Sequence, residues 1–167
     1  MNEKKNRAEL IKEAERIHES ALYSGQTQFE YSKSWRTVDR WLGAVSAGVA
    51  AVAGVTGLAS ILPAPTVGLV AISAAGLGAV ASSLGAPKTK TQAHASANAY
   101  LALQQDARIF INVDVNNLPL SEARDRLANL VSRVQELNAT AEIPSSRAWK
   151  RAKKGVEAGS QQYEVDD

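Results

Sequence analysis

The sequence predicts an all-α protein, a membrane helical hairpin of two transmembrane helices with long cytosolic helices forming a bundle. Three observations support this fold class. From Trp41 through Pro87 there is no charged residue and no histidine, although charged residues make up 22% of the chain. Pro63 and Pro65 divide this uncharged stretch into two parts. On both sides of the stretch, apolar residues recur at the spacing of amphipathic helices.

Length and composition limit the classes of function. A chain of 167 residues has the size of one ordinary domain, here divided into an amino-terminal segment (1–40), the hairpin (41–87) and a carboxy-terminal region (88–167). A net charge of +2 lacks the excess of lysine and arginine expected of a nucleic-acid binder. The absence of cysteine excludes disulfides and thiolate chemistry. The polar amino terminus is not the pattern of a cleavable signal peptide.

The amino-terminal segment is predicted to form one amphipathic helix over residues 3–36. Its apolar face consists of Leu10, Ile11, Ala14, Ile17, Ala21 and Leu22. We expect this helix to continue into the first membrane helix. Trp35 and Trp41, with Arg36 and Arg40, are predicted interface anchors because aromatic rings and cations are enriched where membrane helices leave the lipid.

The uncharged stretch is long enough for two membrane helices, since one crossing needs about 20 apolar residues. The first helix would cover residues 41–62 and the second residues 66–84, with the two prolines in the turn. Lys88 and Lys90 follow the second helix, so the positive-inside rule places both flanks in the cytoplasm. The alternative is a soluble bundle whose other helices bury an Ala- and Gly-rich hairpin.

Each predicted membrane helix carries a stripe of small residues spaced by three or four. The stripes consist of Gly43, Ala47, Ala50, Gly54 and Gly57, and of Gly68, Ala71, Ala75, Gly78 and Ser82. Small residues at this spacing allow helices to approach closely within lipid. The two stripes either pack against each other inside one hairpin or also contact other subunits, which would make the protein a homo-oligomer.

Three further helices are predicted after the hairpin. The first covers residues 89–112 and ends before a break at residues 116–119. Ser121 is the expected N-cap of the second helix. The apolar face of this second helix consists of Leu127, Leu130, Val131, Val134 and Leu137. The third helix is expected to start at Ile143-Pro144-Ser145-Ser146 and to end at about Ala158.

The last helix contains five cations close together. They are Arg147, Lys150, Arg151, Lys153 and Lys154. Two interpretations compete: a solvated face near anionic lipid headgroups, or a phosphate-binding patch for a nucleotide signal. Trp149 agrees with both, either as a ring at the membrane surface or as a stacking platform.

The sequence shows no catalytic or metal-binding pattern. His18 and His94 are far apart, without cysteine or a His-x-x-x-His pair, and are expected to be ordinary surface groups. No Gly-rich phosphate loop followed by lysine is present. We therefore predict a protein that is not an enzyme, with no cofactor, no metal and no nucleic-acid partner.

The order of these features resembles the SLATT family, small two-span membrane effectors associated with bacterial nucleotide-signalling and conflict systems. The resemblance is carried by Tyr31-Ser32-Lys33-Ser34-Trp35-Arg36 with Arg40-Trp41-Leu42, by His94, Ala95, Asn98, Tyr100, Leu103 and Asp106-Ala107-Arg108, and by Glu142-Ile143-Pro144 with Ala148-Trp149 through Lys153. It implies a bacterial inner (cytoplasmic) membrane protein with both termini in the cytoplasm. Activation by a nucleotide second messenger or a partner enzyme would make its oligomers perturb the membrane during anti-phage defence.

Three functional hypotheses follow from the sequence. The first is an oligomeric, pore-forming membrane effector whose predicted partner is membrane lipid. The second is a passive membrane anchor or adaptor that recruits a soluble partner through its cytosolic helices. The third is a soluble interaction module.

Overall fold

The computed structural model describes residues 2–58, 68, 72–73, 75–76, 78–79 and 85–159. Across these residues the regular structure is helical. The chain divides into two compact units, one made of Met1–Ser32 and Thr91–Asp167 and the other of Lys33–Lys90. The all-α part of the predicted fold class therefore agrees with the structure.

The membrane part of the predicted fold class is wrong. Within the part of the chain that the structure describes, no helix is both long and apolar enough to cross a membrane. The uncharged stretch is rich in glycine and alanine, and these residues contribute much less to insertion than leucine, isoleucine or valine. The two transmembrane helices and the pore-forming role are therefore not retained. The predicted turn at Pro63 and Pro65 lies outside the described residues.

In the first unit, α1 (Asn2–Leu58) packs closely against α2 (Ala86–Ile109). A Cβ atom added at Gly25 of α1 would lie 3.3 Å from Tyr100 Cβ and 3.5 Å from the Ala97 oxygen of α2. The two helices are also lined with buried alanines, namely Ala14 and Ala21 of α1 and Ala93, Ala97 and Ala107 of α2. Small residues at the contact allow the two helix backbones to come close together.

α2 continues into a π-helical turn, Phe110–Asp114, and one α-helical turn, Val115–Asn117. The Val115 N–H donates to the Phe110 oxygen, which is the i to i+5 bond of a π-helix. In a regular α-helix residues 110 and 115 would point about 140° apart. The wider turn brings both side chains to the same side, and both are fully buried. Leu118 is then extended. The break predicted at residues 116–119 is therefore found only at Leu118 and Pro119, because Asn116 and Asn117 are still helical.

Arg7 of α1 caps the end of this irregular segment. Its guanidinium group donates to the carbonyl oxygens of Val115 and Leu118, the second at an Nη1–O distance of 3.1 Å. The same side chain pairs with Glu3, at 3.0 Å between Nη2 and Oε1. The last carbonyls of a helix have no partner within the helix. Arg7 therefore joins α1 to the end of the irregular segment, by satisfying the carbonyl oxygen of Val115 in its last turn and that of Leu118 just after it.

α3 (Leu120–Thr140) adds the next layer of the core. Its residues Ala123, Leu127 and Leu130 are buried in the same cluster as the α1 and α2 side chains. Pro119 occupies the N-cap position and no side chain caps the helix. The predicted N-cap at Ser121 is therefore wrong, because the helix begins two residues earlier than an N-cap at Ser121 would require.

α4 (Ser146–Glu157) is short and begins where the sequence predicts a helix start. The Oγ atom of Ser145 accepts a hydrogen bond from the Ala148 N–H at 3.3 Å, which is the usual role of an N-cap serine. Ala148 and Ala152 are the buried residues of this helix. α4 is therefore attached to the unit through a small apolar face.

Replacing Arg7 with methionine is expected to lower the free energy of unfolding by about 1–3 kcal/mol, because two carbonyl oxygens lose a charged donor. Urea unfolding of the full chain, followed by circular dichroism, measures this change. Arg16→Met is the matched control, since Arg16 is exposed and, within the described residues, pairs with the nearby Glu13. Its effect should stay within about 0.5 kcal/mol. Equal losses in both variants would contradict the capping role.

Gly25→Leu is expected to destabilise the first unit by about 1–3 kcal/mol, because a larger side chain must force α1 and α2 apart. Gly43→Leu is the control on the same helix, since a Cβ at Gly43 would meet no atom within 4 Å. Leucine favours helix more than glycine does, so the control should not lose stability. Thermal unfolding of both variants tests the difference, and an unchanged Gly25→Leu protein would argue against a tight contact.

Candidate functional site

The predicted small-residue stripes are not closely packed where the structure describes them. A Cβ added at Gly43, Gly68 or Gly78 would meet no atom within 4 Å beyond the nearby backbone of its own helix. The described alanines of the stripes are exposed: Ala47, Ala50 and Ala75. The surroundings of the remaining positions are outside the described part of the chain: Gly54, Gly57, Ala71 and Ser82. The predicted homo-oligomer therefore stays a prediction.

The predicted interface anchors have different surroundings in the second unit. Trp41 is 69% exposed, whereas Trp35 is partly buried. Lys90 forms a salt bridge with Asp39, with 2.8 Å between Nζ and Oδ2. The other predicted anchors are exposed: Arg36, Arg40 and Lys88. One of the predicted cations is therefore paired with an acid that the sequence analysis did not consider.

A pocket of about 390 Å³ lies in the first unit, beside the link between α3 and α4. This link pocket is lined by Tyr23, Ser24, Thr27 and Gln28 of α1, Tyr100 of α2, Asn138 of α3, link residues Ala141, Glu142, Ile143 and Pro144, and Trp149 of α4. Of these residues, sequence analysis proposed a ligand contact only for Trp149. The pocket was missed because its walls come together only when four helices pack.

Gln28 connects α1 to the link between α3 and α4. Its side chain amide donates from Nε2 to the Glu142 carbonyl oxygen at 2.7 Å, and the residue is only 3% exposed. Its other amide atom, Oε1, is buried and has no hydrogen-bond partner among the described residues. A buried acceptor without a donor costs about 1–3 kcal/mol. The Gln28 side chain therefore has one buried acceptor without a donor among the described residues.

Two hydroxyl groups in the lining of the link pocket already have acceptors. The Tyr100 hydroxyl donates to Asn138 Oδ1 at 2.7 Å, and the Thr27 hydroxyl donates to the Tyr23 carbonyl oxygen at the same distance. Burial raises the pKa of Tyr100, so its hydroxyl keeps its proton and remains a donor at neutral pH. Neither hydroxyl group is therefore available to donate a hydrogen bond to Gln28 Oε1.

The five predicted cations of α4 are all exposed, but they do not form one group. At about 100° per residue, the helix places four of them on one side. We call these four the cationic face: Arg147, Lys150, Arg151 and Lys154. Lys153 lies instead beside Trp149, with its Nζ atom 5.4 Å from the ring centroid. Lys153 also pairs with Glu157 at 3.7 Å.

Positive charge is concentrated on α4. The helix holds five of the nineteen lysines and arginines but only one of the seventeen acids, so its net charge is +4 and that of the remaining chain is −2. No member of the cationic face has an ion pair within the described residues. Like charges at helical spacing repel one another. An anionic partner would reduce this repulsion, so the cationic face favours binding of an anion.

His18 differs from the ordinary surface group that the sequence predicts. Its pKa is lowered, first by burial and then by the charge of Arg108, while Glu19 acts in the opposite direction. Its Nε2 atom lies 3.4 Å from Gln104 Nε2. His94 is exposed and contacts the Phe29 ring edge-on. The prediction for His18 is wrong because distant residues cover it.

Among residues 2–58 and 85–159 and the short described segments between them, no group of three or more His, Cys, Asp or Glu side chains could hold a metal ion. Comparisons of the chain with family models, curated proteins and solved structures find no match. The resemblance to the SLATT family therefore stays a prediction.

Acidification is expected to destabilise the folded protein through His18. The pKa of His18 is lowered in the folded state from its ordinary value of 6.5. As the pH falls below 6.5, the unfolded chain therefore binds more protons at His18 than the folded protein does. The free energy of unfolding should therefore decrease as the pH falls from neutral through the lowered folded pKa. Denaturant unfolding at a series of pH values measures this change.

His18→Gln should remove this part of the pH dependence, and His94→Gln is the control because these are the two histidines of the chain. The His94 variant is expected to keep the pH profile of the unmodified protein more closely than the His18 variant does. If the His18→Gln protein loses stability on acidification as steeply as the unmodified protein, the half-buried His18 is not the cause.

Proposed function

We propose that this protein is a non-catalytic adaptor that binds an acidic partner protein through the cationic face of α4. The observation that carries the proposal is four exposed cations on one side of a short helix, without ion pairs in the described part of the chain. This is the recruiting role that the sequence analysis offered as an alternative. The membrane-perturbing role is not proposed, because it needs spans that the described helices do not supply.

The shape of the cationic face favours an extended partner over a small anion. Arg147 and Lys154 are seven residues apart, which is about 10 Å along a helix axis. Their side chains project outward from a convex surface and do not converge on one point. A helix that carries carboxylates at three- and four-residue spacing matches this arrangement, because each acid can face a cation.

An exposed apolar side chain just before α4 favours a protein partner. Ile143, four residues before Arg147, is 89% exposed. The cationic face contains two arginines, and arginine is enriched among the residues that contribute most to protein–protein binding. Nucleic-acid binding depends instead on a large number of phosphate contacts, whereas the chain outside α4 has a net charge of −2.

The test uses a fluorescently labelled helical peptide with glutamates at three- and four-residue spacing. Its affinity for the full chain is measured by fluorescence anisotropy at increasing salt. Replacing all four residues of the cationic face with glutamine should weaken binding about tenfold, because exposed pairs contribute roughly 0.3–0.5 kcal/mol each. Added salt should weaken binding to the unmodified protein in the same direction.

The matched control replaces four exposed cations of α1 with glutamine, so that net charge changes equally. These are Lys4, Lys5, Lys12 and Arg16. The control should bind the peptide almost as well as the unmodified protein. An equal loss in both variants would show that total charge is responsible, which contradicts the proposal. Tighter binding to phosphatidylserine vesicles or to duplex DNA than to the peptide would contradict an acidic protein as the partner.

A further inference from the structure

We infer that residues 160–167 bind back onto the cationic face of α4 and occupy it while no acidic partner is bound. We call these residues the acidic segment; they are Ser160-Gln161-Gln162-Tyr163-Glu164-Val165-Asp166-Asp167, and they lie outside the described residues. The inference adds regulation to the proposed adaptor surface, and in that respect it rests on the proposed function. It is carried by the charge of the acidic segment, by the turn at Gly159 and by the length of the connecting chain.

The acidic segment and the cationic face have opposite charge. The segment contains three acids and no lysine or arginine: Glu164, Asp166 and Asp167. No other stretch of eight residues in this sequence has three acids without a cation. The cationic face carries four positive charges and has no ion pair within the described residues. Because opposite charges attract, the acidic segment is the part of this sequence that best matches the cationic face.

Gly159 ends α4 and turns the chain close to one end of the cationic face. Its φ of 79° lies in the left-handed region, which favours glycine. The Ala158 N–H donates to the Lys154 oxygen at 3.1 Å, and the Gly159 N–H donates to the Val156 oxygen at 3.0 Å. A left-handed glycine is a common helix end, because it satisfies the last carbonyls and stops the helix. The acidic segment therefore begins just over one helical turn beyond Lys154, the last cation of the face.

The chain after Gly159 is long enough for its acids to reach the whole cationic face. Arg147 lies twelve residues before Gly159, which is about 18 Å along a helix axis. At about 3.3 Å per residue, an extended chain lets Glu164 lie up to about 17 Å and Asp167 up to about 26 Å from Gly159. Four uncharged residues precede Glu164, which is the length of a β-turn. The three acids can therefore be distributed along the face from Lys154 to Arg147.

Attachment to the same chain lets a weak contact compete with a separate partner. Each exposed ion pair changes an equilibrium constant only about twofold. A short flexible connection, however, raises the effective concentration of the attached group to the millimolar range. The acidic segment therefore occupies the cationic face in the absence of a partner, and a partner with more acids or with apolar contacts displaces it. This competition limits binding to partners that match the face well.

The first experiment measures binding of the labelled glutamate peptide after the acidic segment has lost its charge. The variant carries Glu164→Gln, Asp166→Asn and Asp167→Asn. We expect the peptide to bind this variant about three- to eightfold more tightly than the unmodified protein, because up to three competing ion pairs are removed. When the four residues of the cationic face are also replaced with glutamine, the same three substitutions should change the affinity by less than about 1.5-fold.

The matched control removes three acids from exposed positions of α1 and α3, so that net charge changes equally. Its substitutions are Glu15→Gln, Asp125→Asn and Glu136→Gln. The control should bind the peptide with the affinity of the unmodified protein. An equal gain in the control would show that net charge is the cause, and an unchanged affinity in the segment variant would show that the face is not occupied. Either result would overturn the inference.

The second experiment detects the contact without any partner. A water-soluble carbodiimide joins a lysine amine to a carboxylate in direct contact with it, and mass spectrometry of the digested protein identifies the joined residues. We expect Lys150 or Lys154 to be joined to an acid of the acidic segment, in a yield that falls with added salt and with added glutamate peptide. Lys5 and Lys12 of α1 are exposed reference lysines, and equal yields at these positions would contradict a specific contact.

Cross-linking a mixture of ¹⁵N-labelled and unlabelled protein distinguishes a contact within one chain from a contact between copies. Cross-links mainly between differently labelled copies would overturn the inference, because a second copy would then occupy the face. The two experiments also separate the inference from the proposed function. Cross-links to Lys150 or Lys154 without peptide binding would contradict the adaptor role and support the contact. Peptide binding without these cross-links would support the adaptor role and refute the contact.

Discussion

The close contact of α1 with α2 at Gly25 is the constraint from which the rest of the first unit follows. No larger side chain fits between Gly25 and Tyr100 without a shift. Tyr100 is thereby held beside α1, and its hydroxyl reaches Asn138 near the end of α3. Gln28, one helical turn beyond Gly25, then meets the link at Glu142. The link pocket thus depends on two helix backbones being close together.

Small residues have different surroundings in different parts of this chain. Ala14, Ala21 and Gly25 are buried in the first unit, whereas Ala47 and Ala50 further along the same helix are exposed. The stripes in the uncharged stretch were assigned to a membrane because no charge interrupts them. Lack of charge does not by itself provide apolar surface, and burial of larger side chains supplies most of the driving force. This is why the membrane prediction was wrong.

α4 contributes to both candidate sites. One side carries the cationic face, while Trp149 belongs to the link pocket. The helix buries two alanines, begins at the Ser145 cap and follows a link that Gln28 bonds to α1. A helix with few buried contacts opens more easily than the core of a domain. The cationic face and the link pocket therefore share this short helix.

The sequence by itself determined the helical class, a chain break at Leu118 and Pro119, the start of α4 and the cations on it. These features depend on capping, backbone restriction and helical periodicity, which neighbouring residues decide. Only the tertiary structure decided the burial of His18, the π-helical turn and the link pocket. Gln28 shows the physical reason. Its partner Glu142 lies 114 residues away, so no local pattern distinguishes this glutamine from one on the surface.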